Sequence, residues 1–228
     1  MNILVDEIIL DEDLIPTVFA DILIELSENR TLIFDLDNTI YDERKFLFQA
    51  YKNVSKHLAK TYDCVEADTF NFLKSTFSLS GRYKIFDKLQ EHLQINGEMF
   101  LTTCLSVLRT TVVSPKINPY CYFIKYLKAQ KNSPIIIITN GTPEQQKNKV
   151  KSINWETGTV KIICSNLYMP KPSPESFFKL KQEYPLKTPI YIGDSVEDSL
   201  FAKNCGIDFI NILNQEITCN RGLNIERE

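Results

Sequence analysis

Two regimes of apolar patterning divide this chain. Between residues 42 and 114 the apolar positions recur at helical spacing and no β-prone run occurs. The periodicity predicts about four helices there, over 46–62, 66–77, 82–93 and 98–110. On either side, short continuous apolar runs predict buried strands at 31–34, 135–139, 160–164, 190–192 and 209–210. Helical patterns at 119–129, 143–151, 174–182 and 196–204 fill the intervals. Strand and helix in alternation predict an α/β fold, a Rossmann-like three-layer core with a parallel sheet covered on both faces. The expected organisation is a discontinuous core of residues 31–41 and 115–228, with an all-helical insert over 42–114.

Residues 1–30 precede the first core strand. Asn2 to Leu10 reads as a strand or short hairpin. In 14–26, Leu14, Val18, Ile22 and Leu26 lie near one face of a helix, with Pro16 in its first turn and Asp11, Glu12 and Asp13 at its N-terminus. This extension is expected to pack on the core as an edge strand and helix, a dimer or partner contact being the alternative. Residues 221–228 read as a polar, mobile tail.

Charge and cysteine content narrow the class. A net charge of −3 offers no electrostatic attraction for nucleic acid or an anionic membrane. No apolar run approaches the roughly 20 residues of a membrane span, and Met1-Asn2-Ile3-Leu4-Val5 runs straight into Asp6 and Glu7 without a basic start. The expected setting is cytoplasmic. The six cysteines are scattered with no C-x-x-C pair, which argues against a zinc site or disulfide framework.

The chemistry-bearing residues fall where strands end, the place where open α/β sheets bind ligands. Asp35 and Asp37 follow the first strand. A turn there brings both carboxylates to the strand mouth, where their repulsion requires a cation or a lysine. Thr139-Asn140-Gly141 closes the run Ile135-Ile136-Ile137-Ile138 and precedes a helix, so a hydroxyl and free N–H groups form an anion site. Thr139 or Thr142 as a plain helix cap is the competing reading. Lys171 sits in Met169-Pro170-Lys171-Pro172-Ser173-Pro174, a stiff loop that can aim one ammonium. Asp194 and Asp198 follow 190–192, with Gly193 at the turn and Ser195 suited to a helix cap. A few hard carboxylate oxygens suit Mg²⁺.

Together these segments resemble the haloacid dehalogenase (HAD) superfamily of aspartate-nucleophile phosphohydrolases over about residues 31–210. Phe34-Asp35-Leu36-Asp37-Asn38-Thr39 resembles the family's first motif, Thr139-Asn140-Gly141 the second, Lys171-Pro172-Ser173-Pro174 the third and Gly193-Asp194-Ser195-Val196-Glu197-Asp198 the fourth. The helical insert resembles a C1-type cap. The resemblance implies that Asp35 is the nucleophile and Asp37 the general acid and base. It implies that Thr139 and Asn140 bind phosphate with Lys171. It also implies that Asp35, Asp194, Asp198 and the Asp37 main-chain carbonyl serve a Mg²⁺ ion. An aspartate two residues beyond the nucleophile favours phosphatases over dehalogenases.

The expected activity is hydrolysis of a small phosphomonoester, a sugar phosphate or nucleoside monophosphate, by a monomer or homodimer. A sugar phosphomutase and a non-catalytic interaction module are the alternatives. Tyr41, placed to stack on a base or sugar, and Arg82, placed to hold a second anionic group, are the specificity candidates. The surroundings of Tyr41 are similar to pyrimidine 5′-nucleotidase-like members.

Overall fold

In the computed structural model, described for residues 15–95, 97–130, 134–155, 160–213 and 217–218, the chain divides into two compact units. The first comprises Met1–Tyr41, Pro119–Asn140 and Trp155–Glu228, and the second Asp42–Asn118 and Gly141–Asn154. The strand or hairpin expected within 2–10, the acidic run 11–13 and the tail 221–228 lie outside the described residues.

The first unit is built on a six-stranded sheet. Its strands are β1 (Leu32–Phe34), β2 (Ile135–Thr139), β3 (Val160–Cys164), β4 (Ile190–Gly193), β5 (Asp208–Asn211) and β6 (Ile217–Thr218). They lie in the order β3-β2-β1-β4-β5-β6, with every pairing parallel except β5 with β6. The chain steps outward from β1 to β3, then crosses to the other side of β1 to form β4. The carboxyl ends of β1 and β4 therefore flank the point where strand order reverses, which is where an α/β sheet opens a crevice.

Strand alternation sorts the apolar side chains onto two faces. Ile33, Ile136, Tyr191 and Phe209 stand in register across the sheet. They pack under Phe177 and Leu180 of one helix (Glu175–Glu183) and Phe201 and Ala202 of another (Val196–Cys205). On the opposite face Phe34 meets Phe123 edge-on at a centroid separation of 5.1 Å and also touches Tyr126, both from the helix Cys121–Ala129. Burial on both faces explains why these strands read as unbroken apolar runs rather than as alternation.

In chain order the helices are α1 (Ile15–Asn29), α2 (Glu43–Thr61), α3 (Glu66–Ser80), α4 (Ile85–His92), α5 (Glu98–Thr110), α6 (Cys121–Ala129), α7 (Pro143–Ser152), α8 (Glu175–Glu183) and α9 (Val196–Cys205). No helix among the described residues is long and apolar enough to cross a membrane.

Helix α1 packs on α6, but through a different stripe from the one expected. Phe19, Ala20 and Leu23 are buried, whereas Val18 and Ile22 are 56% and 36% exposed. A run of i, i+4 steps drifts by about 40° per step around a helix. The stripe through Val18, Ile22 and Leu26 therefore wanders off any fixed contact line, and Leu14 lies outside the described residues. What fixes the rotation is Phe19 packed edge-on against Tyr122, with Asp21 paired to Lys125 at 2.7 Å.

The second unit is helical. Asp42 caps α2 by accepting from the Arg44 N–H at 3.0 Å. Phe46, Leu47, Ala50, Tyr51, Val54 and Leu58 form the buried stripe of α2, which packs on α3 and α5. Helix α7 packs on α5. Its residue Lys149, 1% exposed, donates to Glu43 Oε1 at 2.6 Å. Gly141, before α7, has φ +136°, a conformation that calls for glycine, and the Gln146 side-chain amide fills the space where a Cβ would stand. Thr142 occupies the N-cap position of α7 without a side-chain cap bond.

Phe34 is 0% exposed between the central strands and α6. We expect Phe34→Ala to lower the unfolding free energy by about 3–5 kcal/mol, read from urea unfolding. A loss below about 1 kcal/mol would mean that the sheet does not pack through this ring.

Candidate active site

Asp35 continues β1 by one residue: its N–H donates to Ile192 O at 2.8 Å, as in a further rung of the parallel ladder. The backbone then turns. Asn38 adopts φ +55°, a conformation asparagine tolerates better than most residues, and Ile40 N–H closes the turn on Leu36 O at 3.0 Å. The Tyr122 hydroxyl holds the turn from α6 by donating to Thr39 O. This leaves Asp35 buried and Asp37 half-buried.

At the end of β4, Gly193 leads into α9. Ser195 and Asp198 form a capping box there: the Asp198 N–H donates to Ser195 Oγ at 3.2 Å, and the Ser195 N–H donates to Asp198 Oδ2 at 3.1 Å. Capping thus fixes one oxygen of Asp198 and leaves the other for the site. A Cβ on residue 193 would lie 2.6 Å from the Asp198 carboxylate, so glycine is the residue that admits this approach.

Lys171 ties the centre together. It is 4% exposed, and its Nζ donates to Asp198 Oδ1 at 2.5 Å, Asp35 Oδ1 at 2.7 Å and the Tyr191 hydroxyl at 2.9 Å. The Tyr191 hydroxyl donates in turn to Ile138 O at 2.7 Å. The loop is gripped by Asn140. Its Oδ1 accepts from Lys171 N–H at 2.8 Å, and its Nδ2 donates to Lys171 O at 3.1 Å and to Glu197 Oε2 at 3.1 Å. Thr139 is buried beside it at the end of β2.

Carboxylate oxygens of Asp35, Asp194 and Asp198 come within 4.8 Å of one another. Thr39 Oγ1 makes a long contact of 3.4 Å to Asp194. Burial pushes the Asp35 carboxyl up to about 7, with Lys171 pulling down and Asp198 and Asp37 pushing further up. Asp194 is also raised, by burial and by Asp198. Burial would lower the Lys171 pKa, but Asp35 and Asp198 outweigh it and hold the ammonium charged above its ordinary range. One ammonium among three carboxylates leaves excess negative charge. A divalent cation fits that excess and the all-oxygen donor set.

Asp35, Asn140, Lys171, Asp194 and Asp198 thus meet in one place, whereas three expected residues are placed differently. The Asp37 carboxylate is outside the three-carboxylate cluster and accepts the Tyr41 hydroxyl at 2.8 Å. Tyr41 is fully buried, so its ring presents no face to a base or sugar; the stacking expectation is replaced by a bond that aims Asp37. Arg82 pairs with Glu43 at 2.7 Å within the second unit. Tyr191 was absent from the expected site. Its signal was a tyrosine inside an otherwise aliphatic buried strand, where the hydroxyl must find a partner.

With this geometry in hand, the sequence matches the family of haloacid dehalogenase-like hydrolases over residues 32–212. The chain belongs to that family. Three solved structures align with this chain at low identity, the first two closely enough to show the same fold. A HAD-superfamily hydrolase of subfamily IA from Geobacter sulfurreducens aligns with TM-score 0.52 and 16% identity over 80% of this chain and 86% of its own. A protein provisionally described as a β-phosphoglucomutase from Thermotoga maritima aligns with TM-score 0.51 and 17% identity over 80% and 84%. A protein provisionally described as a phosphoglycolate phosphatase from Lactobacillus plantarum aligns with TM-score 0.47 and 18% identity over 84% and 93%. No curated protein matches the sequence. As a HAD-like hydrolase, the chain places its four motif segments around one buried lysine.

The raised Asp35 has a consequence for stability. The native state keeps its Asp35 proton up to about 7, whereas the ordinary value is 3.8, so stability falls as pH rises across that window. In metal-free protein we expect Asp35→Asn to raise the thermal midpoint at pH 8, with the gain shrinking toward pH 4. A difference independent of pH would show that Asp35 does not titrate in this window.

Proposed function

We propose that this HAD-like hydrolase is a Mg²⁺-dependent phosphatase of small phosphomonoesters that works through an aspartyl-phosphate on Asp35. The observation that carries the reading is the buried Lys171, bonded at once to Asp35 and Asp198 beside Asp194. That arrangement holds a carboxylate at a strand mouth with one oxygen engaged by an ammonium, and its excess negative charge is what a bound divalent cation would offset where a phosphoryl group arrives.

An Asp35 oxygen attacks phosphorus, and the bond from phosphorus to the leaving oxygen breaks. Asp37, aimed by Tyr41, gives its proton to that oxygen. Asp37 then takes a proton from water as the water oxygen attacks the same phosphorus, releasing inorganic phosphate and restoring Asp35. Thr139 and the Asn140 N–H bind phosphoryl oxygens, and Lys171 stabilises the charge that gathers there. Asp35, Asp194 and Asp198, with the Asp37 carbonyl, would hold Mg²⁺, which when bound neutralises charge on the transferring group. Asp198 also orients Lys171. Helices of the second unit serve as the cap that selects the alcohol portion of the substrate.

The test is phosphate release from a panel of sugar phosphates, nucleoside monophosphates and other phosphomonoesters. We expect release that EDTA abolishes and Mg²⁺ restores, and a fall of at least about 10³-fold in Asp35→Asn. Isomerisation of a sugar phosphate driven by a bisphosphate, without phosphate release from any substrate, would assign the mutase reaction instead.

A further inference from the structure

Tyr191 lies within β4, flanked by Ile190 and Ile192, and is fully buried. A phenylalanine would serve the packing equally well, since the ring meets Phe201 edge-on at a centroid separation of 4.9 Å. What tyrosine adds at this position is the hydroxyl, and the bonds of that hydroxyl define its use.

The one hydroxyl hydrogen is committed. It goes to Ile138 O at 2.7 Å, on β2, a strand separated from β4 by β1. The phenol also keeps its proton: burial, with Asp198 and Asp35 close by, raises its pKa well above the ordinary value. With its hydrogen given to β2, the hydroxyl meets Lys171 as an acceptor and receives an N–H from Nζ at 2.9 Å.

That bond limits what the ammonium has left to offer. A lysine ammonium has three donors. Among the described residues Lys171 Nζ has three partners: Asp198 Oδ1 at 2.5 Å, Asp35 Oδ1 at 2.7 Å and the Tyr191 hydroxyl. No N–H is left over for an arriving phosphoryl group, so one of the three has to be shared with it. The Tyr191 bond is to a neutral group that the chemistry does not alter. Asp198 remains a carboxylate throughout and is fixed by the capping box of α9. Asp35 alone loses its negative charge, when its oxygen bonds to phosphorus. The N–H aimed at Asp35 follows that charge onto the phosphoryl oxygens, provided the other two bonds keep Nζ in place.

We propose that Tyr191 is a positioning residue, whose hydroxyl anchors Lys171 to β2 so that the N–H on Asp35 is the one passed to the phosphoryl group in the transition state. This inference rests on the phosphatase reading. Removing the hydroxyl leaves Nζ with an idle N–H and one anchor in place of two. The loss falls on the transition state rather than on substrate binding.

Tyr191→Phe tests this beside Phe201→Leu, which disturbs the same packing and leaves the hydroxyl in place. With Mg²⁺ and a turned-over phosphomonoester, we expect Tyr191→Phe to lower kcat about 10- to 100-fold and to keep KM within about twofold. Orthovanadate, which adopts the five-coordinate geometry of the transition state, should inhibit this variant more weakly by a similar factor. Inhibition by inorganic phosphate should stay as in the wild type. Phe201→Leu should lower the thermal midpoint and leave kcat within about twofold of the wild type. Wild-type kcat in Tyr191→Phe, a rise in KM alone, or an equal fall of kcat in Phe201→Leu would overturn the proposal and leave the phosphatase standing. A wild type that releases no phosphate from any substrate would remove the phosphatase reading, and this inference with it.

Discussion

A buried ammonium has to be matched where it lies, and the match at Lys171 governs this centre. Its three N–H bonds go to Asp35 at the end of β1, to Asp198 in the first turn of α9 and to Tyr191 within β4. Three separate stretches of sequence therefore meet at one nitrogen. The loop that delivers Lys171 is itself fixed by the Asn140 side chain, which grips both the N–H and the carbonyl of that residue. Thus the segment after β2 positions the lysine as well as offering groups for an anion.

The rest of the first unit supplies the rigidity this pairing needs. The β1–β4 register brings Asp35 level with the end of β4, and Gly193 leaves the space through which the Asp198 carboxylate approaches. Ser195 and Asp198 satisfy the start of α9 while leaving Asp198 Oδ1 for the lysine. Fold alone does not decide the reaction, since similar structures bear names of different reactions. Asp37, held by Tyr41, is the group on which the phosphatase proposal turns.

Much of this was legible in the sequence because the strands are buried on both faces. Ile135-Ile136-Ile137-Ile138-Thr139 admits no other economical reading, and β2 and β3 have the expected bounds. The rotation of α1 was not legible, because Phe19 and Leu23 compete with Val18 and Ile22 for the same kind of stripe and only contact with Tyr122 decides between them. Strand β6 is two residues long and carries no periodicity to detect. Among the site residues, the carboxylates and Lys171 were marked by their positions at strand ends and between prolines. Tyr41 was misread because a tyrosine next to a motif looks the same whether its ring is offered to a ligand or buried with its hydroxyl on Asp37. The grip of Asn140 on Lys171 joins residues 31 positions apart and has no local signature.

The central claim is that the Lys171 network makes Asp35 the residue that carries the phosphoryl group. Protein mixed with a turned-over phosphomonoester and quenched with borohydride tests it most directly, because an acyl phosphate is reduced to the corresponding alcohol. Peptide mass spectrometry should find Asp35 converted to homoserine, in a substrate-dependent manner, and no such conversion in Lys171→Met. Conversion at another carboxylate, or turnover with Asp35 never modified, would contradict the account.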